Sequence, residues 1–271
     1  MRELCERLGF PKEAIEAVFL SKEKMPCDFF VEYKLFSGGE HDKAITKIKA
    51  IAEECKVSEY TAYMVFLLWC APHVKDKYID ENIFYDTFKD LTYKLYECKN
   101  TYGVWGTFVA GWFARHIRME LFALGRLQFE YVHFEHDYKD VLKKGDIILN
   151  CHIPSSGPLT PESVRSSLNK AYKFFNQTGD MYVMCHTWLL YPPYYELFGT
   201  NTKAFCDLFD VFCTGEQNME YWRIFNKEKF SDINENDLKT SLQKNFYKYL
   251  KDGGKTGYGV GVLKYTPCGI L

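Results

Sequence analysis

The sequence holds 10 cysteines but not one Cys-x-x-Cys pair. Structural zinc sites normally close with such pairs, and disulfide frameworks belong to short secreted chains, so neither explains these residues. Their spread over Cys5, Cys27, Cys55, Cys70, Cys98, Cys151, Cys185, Cys206, Cys213 and Cys268 fits reduced, mostly buried thiols in a cytoplasm. Long Lys/Arg clusters are missing too. With a net charge of −2, nothing neutralises a phosphate backbone, and nucleic-acid binding is not expected. The most apolar run, Ala62 to Ala71, falls well short of the roughly 20 residues that span a bilayer. It reads as a buried helix, and no membrane partner is expected. Glu3, Glu6 and Arg7 interrupt the stretch that a signal peptide would keep apolar, so the expected location is cytoplasmic. Internal repeats and low-complexity segments are also lacking.

What is present is ordinary in amount and uneven in arrangement. Hydrophobic residues make up 47% and charged residues 26%, which suits a folded globular chain. At 271 residues a single core stops growing, so two domains are expected, 1–124 and 125–271. The first reads as helical throughout. Pro11 opens one helix at a favoured first-turn position, and Ala44, Ile45, Ile48, Ile51, Ala52 and Cys55 share one face of another. Ser58 caps a third, Phe84, Phe88, Leu91 and Leu95 recur at helical spacing, and the last helix is read over Trp105 to Leu124. The period then changes from helix to strand. Arg126, Gln128 and Glu130 alternate with Leu127, Phe129 and Tyr131, the period of two of a strand with one polar face. Further strands are expected over Asp146–Ile153, Met181–Leu190 and Tyr258–Tyr265, with strand content in Lys203–Cys213 and helices over Thr160–Phe175 and Asp237–Leu250. The fold class is α+β, a helical half followed by a mixed sheet half.

The clearest local signal lies between Ile148 and Phe175, "ILNCHIPSSGPLTPESVRSSLNKAYKFF". Thr160 suits an N-cap, Pro161 the first helical position, and Glu162 the positive helix end. Free N–H groups at such a strand-to-helix junction favour a phosphate or carboxylate, although Glu162 can also satisfy that end by itself. On the strand before it, Ile147, Leu149, Cys151 and Ile153 share one face, while Asn150 and His152 share the other, which can open onto a cleft. His186 follows Cys185 on a later strand in the same manner. If those strands are neighbours, both histidines line one site; otherwise each ring hydrogen-bonds backbone in the interior. Glu130 suits a general base or an ion pair with Arg126. Neither His152 and His186 with a carboxylate nor His133, Glu135, His136 and Asp137 has an established ligand spacing, so no metal is expected. Cys151 and His152 point to opposite faces and cannot form a dyad, which leaves only cross-strand pairing for a cysteine nucleophile.

Several of these stretches carry a resemblance. "LGRLQFE" (124–130), "HIPSSGPLTPESVRSSL" (152–168), "CHTWLL" (185–190), "SLQKNFYKYLKDGG" (241–254) and "GVGVL" (259–263) resemble bacterial acyltransferase domain-containing proteins. These pair a helical N-acyltransferase N-terminal domain with a GNAT-like C-terminal domain. The resemblance implies a mixed sheet that splays between two parallel strands, with acetyl-CoA or another acyl-CoA entering the gap as co-substrate. Its pyrophosphate would lie on the segment from Ile153 through Ser155, Ser156 and Gly157 to Thr160. Where GNAT enzymes carry a Gly-rich loop with Gln or Arg, this chain has Pro154 and Pro158, which lack N–H donors. Relatives carry Ser-Trp-Leu-Leu-Asp and Ser-Asn-Ile where this chain has "TWLLY" and "TNT", so Trp188 and Asn201 are shared and Thr187 and Tyr191 depart.

The activity implied is acyl transfer to a small-molecule or peptide amine within a ternary complex. Glu130 or His152 would take the proton of the amine, and Tyr194 or Tyr195 would protonate the leaving thiolate. Ile153, Ser155, Ser156, Gly157, Thr160 and Asn201 would hold the acyl-CoA, and Arg126, Gln128, His186 and Trp188 the acceptor. The Pro-containing loop motivates a second reading, a non-catalytic ligand-binding or interaction protein of GNAT-like shape. A hydrolase built on Cys185 or Cys151 with a cross-strand histidine is a third.

Overall fold

The computed structural model describes residues 1–267, so Cys268 lies outside the described residues. The chain divides into two compact units, Met1–Phe122 and Ala123 onward. The first is built from α1 (Arg2–Leu8), α2 (Lys12–Lys22), α3 (Phe30–Ser37), α4 (His41–Glu54), α5 (Glu59–Cys70), α6 (Pro72–Lys75), α7 (Glu81–Phe88), α8 (Asp90–Tyr102) and α9 (Ala114–Ile117). The hydrophobic run from Ala62 forms the buried axis of this unit: every residue from Thr61 to Leu68 on α5 is buried. A helix apolar all round has no solvent face to offer, and neighbours must cover it on every side. α4 supplies one cover with Ala44, Ile48 and Ala52 fully buried, while Ile45, Ile51 and Cys55 pack at the margin. Among the described residues, no helix is long and apolar enough to cross a membrane.

Four sequence expectations need correction in this half and the next. Pro11 is the N-cap of α2 and not its first helical residue. Ser58 occupies the N-cap of α5, but its side chain makes no capping hydrogen bond. The helix read through Leu124 ends at Ile117. Met119 adopts φ 57°, and the N–H groups of Met119 and Glu120 donate to His116 O and Arg115 O, the paired bonds of a Schellman stop. Glycine normally marks this position; with methionine there, the stop is invisible to a reading by residue type. Lastly, Thr200–Cys206 in the segment expected to hold strand is helical, and only Asp210–Glu216 is extended.

The second unit carries a six-stranded sheet in the order β1-β2-β3-β4-β6-β5. Its strands are β1 (Leu121–Leu124), β2 (Leu127–His133), β3 (Ile147–His152), β4 (Met181–Thr187), β5 (Asp210–Glu216) and β6 (Gly257–Tyr265). The pairs β2–β3, β4–β6 and β5–β6 are antiparallel, and β3–β4 is parallel. Among the described residues, β3 and β4 are joined only at Leu149↔Val183 and Asn150↔Met184, so their C-terminal ends are not paired. α10 (Pro161–Phe174) is the crossover between them, started by the Thr160 hydroxyl accepting from Ser163 N. α11 (Thr200–Cys206), α12 (Trp222–Phe225) and α13 (Ser241–Lys251) complete the unit, with Thr240 and Gln243 forming a capping box at α13.

The two faces of this sheet differ in kind. Leu127, Phe129, Leu149, Cys151, Val183 and Cys185 lie on the face covered by α10, where the Tyr265 hydroxyl donates to Asn169. At the other end of that face the 3-10 turns Trp188–Leu190 and Pro192–Leu197 ride directly on β6. Only glycine fits beneath them: a Cβ on Gly259 would stand 2.1 Å from Leu190 O, and one on Gly257 would stand 2.6 Å from the Tyr191 ring between the two turns.

Candidate active site

Strand register assembles a polar group on the opposite face. Gln128 pairs with His152 and Glu130 with Asn150, and residues two apart share a face, so these four side chains lie together. Gln128, Glu130 and Asn150 are buried and His152 is half-buried. Glu130 Oε1 lies 2.6 Å from His152 Nε2, and Asn150 Nδ2 lies 3.0 Å from the same nitrogen. A ring nitrogen serves a carboxylate as an N–H or an amide as a lone pair, not both. The shorter contact, with an acceptor that carries charge, makes Nε2 the donor to Glu130. Asn150 Nδ2 then donates to the same carboxylate oxygen at 3.4 Å, and Asn150 Oδ1 is buried with no hydrogen-bond partner. This tautomer leaves the basic lone pair of His152 on Nδ1, the arrangement by which a carboxylate orients a histidine base.

His186 joins that face, since Asn150 pairs with Met184 and His186 follows two residues on. Its ring is exposed and packs on Tyr258 at 4.4 Å. Partial burial pushes the His186 imidazole below its usual range, and the neighbouring His136 adds to this. Both cysteines of the Cys-His pairs fall on the helix-covered face, away from the histidines. Contact with the Cys151 thiol and burial push the Cys185 thiol well above the usual range, the reverse of what a nucleophile needs.

The Arg126 side chain reaches the loop after β3. Its Nε donates to Gly157 O at 3.1 Å and Pro158 O at 3.2 Å, Nη1 to Pro154 O at 2.9 Å and Nη2 to Gly157 O at 2.7 Å. The guanidinium therefore grips the loop that follows β3. Ile153 is half-buried, Ser155 and Gly157 are exposed, Ser156 N donates to Pro154 O, and Gly157 takes φ 112°, which favours glycine. Ser167 Oγ on α10 accepts from the N–H groups of Arg126 and Leu127 at 2.7 and 3.2 Å. One turn at Gly125–Arg126 is thus fastened to both the loop and the helix behind it.

The remaining expected residues lie elsewhere in the second unit. Tyr194 is buried in an aromatic cluster with Trp188, Phe198, Phe246 and Tyr249, its hydroxyl accepting from Gly257 N at 3.3 Å. Burial pushes its phenol up to about 12. Trp188 and Tyr194 share the lining of a small cavity of about 20 Å³ with Met219, Arg223 and Ile224. Tyr195 is turned outward, and its hydroxyl donates to Asp207 at 2.8 Å. Asn201 is exposed on α11.

A family model described as GNAT-like C-terminal domain matches residues 121–263, and one described as N-acyltransferase N-terminal domain matches residues 1–119. The chain belongs to this N-acyltransferase family. Among solved structures with a similar fold are an acyltransferase mutant in complex with octanoyl-CoA (TM-score 0.75, 19% identity) and an acyltransferase in complex with decanoyl-CoA and teicoplanin (0.72, 20%). A third is an acyltransferase in complex with CoA and 10C-teicoplanin (0.75, 20%); each comparison covers 98% of this chain and 87% of the other. No curated protein matches the sequence. In this N-acyltransferase family member, the sequence placed Asn150 on the His152 face without giving it a role, and passed over Ser167. Ser167 carried a signal, being a polar residue within the otherwise apolar buried stripe of Val164, Leu168 and Ala171.

Proposed function

We propose that the protein is an acyl-CoA-dependent N-acyltransferase that acts on an amine. The observation that supports this most directly is the Glu130–His152 pair, 2.6 Å apart on the sheet face at the end of β3, where β3 and β4 cease to pair. The acyl-CoA lies with its thioester in that gap and its diphosphate on residues 153–160 at the start of α10, in keeping with the family fold. The amine nitrogen attacks the thioester carbon, His152 takes the proton that the nitrogen sheds, and Glu130 stabilises the imidazolium that forms. The C–S bond breaks and the thiolate leaves. Of the two tyrosines, Tyr194 is taken as the donor that returns a proton to sulfur, because the Tyr195 hydroxyl is committed to Asp207. The acceptor pocket includes Gln128, Asn150 and His186. The fold-related enzyme in complex with teicoplanin supports a bulky amine as acceptor.

The test is a thermal shift against CoA and acyl-CoAs from acetyl to decanoyl, with calorimetry on any that respond. At 100 times its dissociation constant a ligand adds about 2.7 kcal/mol, enough for a rise of several degrees. No shift and no heat across the series would refute the reading in favour of a binding protein of GNAT-like shape.

A further inference from the structure

The helix that joins β3 to β4 has one face on the sheet and one in solvent, and the solvent face is basic. Val164, Leu168 and Ala171 are buried, while Arg165, Ser166, Lys170 and Lys173 are exposed. At about 3.6 residues per turn, Arg165 and Lys170 stand on the two flanks of the outer face, with Ser166 and Asn169 between them and Lys173 beyond. Short side chains between long ones leave a trough. Asn169 is drawn aside as well, its Oδ1 accepting from the Tyr265 hydroxyl. The result is an open groove of about 460 Å³ along α10, with Glu162 at its N-terminal end. Lys139, Lys203 and Lys264 of the same unit each hold a carboxylate, but Arg165, Lys170 and Lys173 form no ion pair among the described residues.

The spread of these cations selects among anions. Arg165 and Lys173 lie about 12 Å apart along the helix axis at roughly 1.5 Å per residue. A single phosphate is too compact to meet cations on both flanks and at the far end. A bilayer surface would call for apolar side chains to insert, and nucleic acid for stacking rings or a longer run of cations; the groove has none of these. An acidic helix laid along the trough sets carboxylates one to two turns apart against all three.

Position adds the kind of protein. α10 starts at Pro161, directly after the 153–160 segment to which the donor's phosphate groups are assigned. A phosphopantetheine arm is borne either by a nucleotide, as in CoA, or by an acidic carrier protein. Whatever bears the arm rests beside the start of α10, and a basic trough running the length of a helix suits the protein.

We propose that the outer face of α10 docks an acidic carrier protein that presents the acyl group on a phosphopantetheine arm, as a second donor beside acyl-CoA. This rests on the acyl-transfer reading above. The chemistry is unchanged: the amine nitrogen bonds to the thioester carbon, its proton passes to His152, and the C–S bond breaks. The carrier's arm leaves as a thiolate, which is protonated as that of CoA would be.

The probes are an acyl carrier protein loaded with octanoyl-phosphopantetheine and, separately, octanoyl-CoA. Calorimetry measures each against wild type, a double variant Arg165→Glu with Lys173→Glu, and a control Lys24→Glu with Lys47→Glu that makes the same charge change at exposed sites of the first unit. The carrier should bind wild type and control alike, more weakly as salt rises, and lose about tenfold or more in the α10 variant. Octanoyl-CoA should bind all three within about twofold. Near-UV circular dichroism checks folding, and Arg165→Ala with Lys170→Ala takes over if the glutamate variant is unfolded. Unchanged carrier binding in the α10 variant, an equal loss in the control, or a wild-type preference for an oligonucleotide over the carrier would overturn the proposal. So would an equal loss of octanoyl-CoA, which would give these cations to the nucleotide. Octanoyl-CoA binding without carrier binding would overturn it and leave the acyl-CoA reading intact, whereas binding of neither probe would overturn both.

Discussion

Replacing Gly259 by alanine separates two physical arguments that predict opposite signs. Alanine in a strand interior is favoured over glycine by roughly 0.5–1 kcal/mol, because glycine loses more conformational freedom on folding. By propensity alone the substitution stabilises. But β6 lies between β4 and β5 in the sheet, and the new Cβ would stand 2.1 Å from Leu190 O, 2.6 Å from Leu190 C and 2.9 Å from Leu190 Cβ. Ordinary contact begins at 3.4 Å, so the 3-10 turn would have to retreat by more than 1 Å, against backbone that cannot rotate away. Overpacking of this kind costs about 1–3 kcal/mol and occasionally more. We expect the clash to win, lowering the thermal midpoint by about 2–4 °C for each kcal/mol in a chain of this size. The control is Gly199→Ala, where nothing lies within 4 Å of the new Cβ and the expected cost is only that of alanine at the α11 N-cap, about 1 kcal/mol or less. Scanning calorimetry and urea unfolding of both variants decide the matter. If Gly259→Ala matches Gly199→Ala or gains stability, the seating of residues 188–191 on β6 is wrong.

Glu130→Gln keeps the shape of the side chain but removes the charge that stabilises the imidazolium; turnover with acyl-CoA and a responsive amine should fall about 10²–10⁴-fold. Its affinity for acyl-CoA should stay within about twofold, and an equal loss of both would assign Glu130 to binding. In the first unit, His116 is fully buried with its Nε2 3.5 Å from Asp90 Oδ2, and burial pushes its imidazole below the usual range against the pull of that carboxylate. Its depressed folded value means that the stability is fully present above the unfolded value of about 6.5 and is lost as pH falls from there through the folded value, by up to about 1.4 kcal/mol per pH unit. His116→Phe should flatten that slope in urea midpoints measured from pH 7 to 5; an unchanged slope would refute the assignment. Cys185, buried with its thiol pushed up, should resist alkylation at neutral pH while exposed Cys27 reacts. Rapid stoichiometric labelling of Cys185 would revive a cysteine nucleophile.

Local signals were legible where a residue's neighbours in sequence are also its partners in space. Thr160, Pro161 and the stripe of Val164, Leu168 and Ala171 specify α10, and both the cap and the burial are observed. The alternation in β2 likewise places Gln128 and Glu130 on a common face. The stop at Met119 was not legible, since its cause is a backbone conformation that methionine seldom marks. Nor was the partition of roles among polar residues. Arg126 and Glu130 lie four apart and read naturally as an ion pair; the fold brings the Arg126 guanidinium to loop carbonyls about 30 residues on and Glu130 to His152.

The sequence by itself determined the α+β class, the helix-start junction and the side of the strand on which His152 lies. These follow from periods of two and 3.6 residues and from turn chemistry, which act over a few residues. Only the tertiary structure decided that Glu130 meets His152, that Arg126 reaches the loop carbonyls, and that Tyr195 belongs to Asp207. Such contacts depend on strand order and register, and a hydrogen bond across an antiparallel pair is set by which residues the fold brings within 3 Å, a distance that no spacing along the chain encodes.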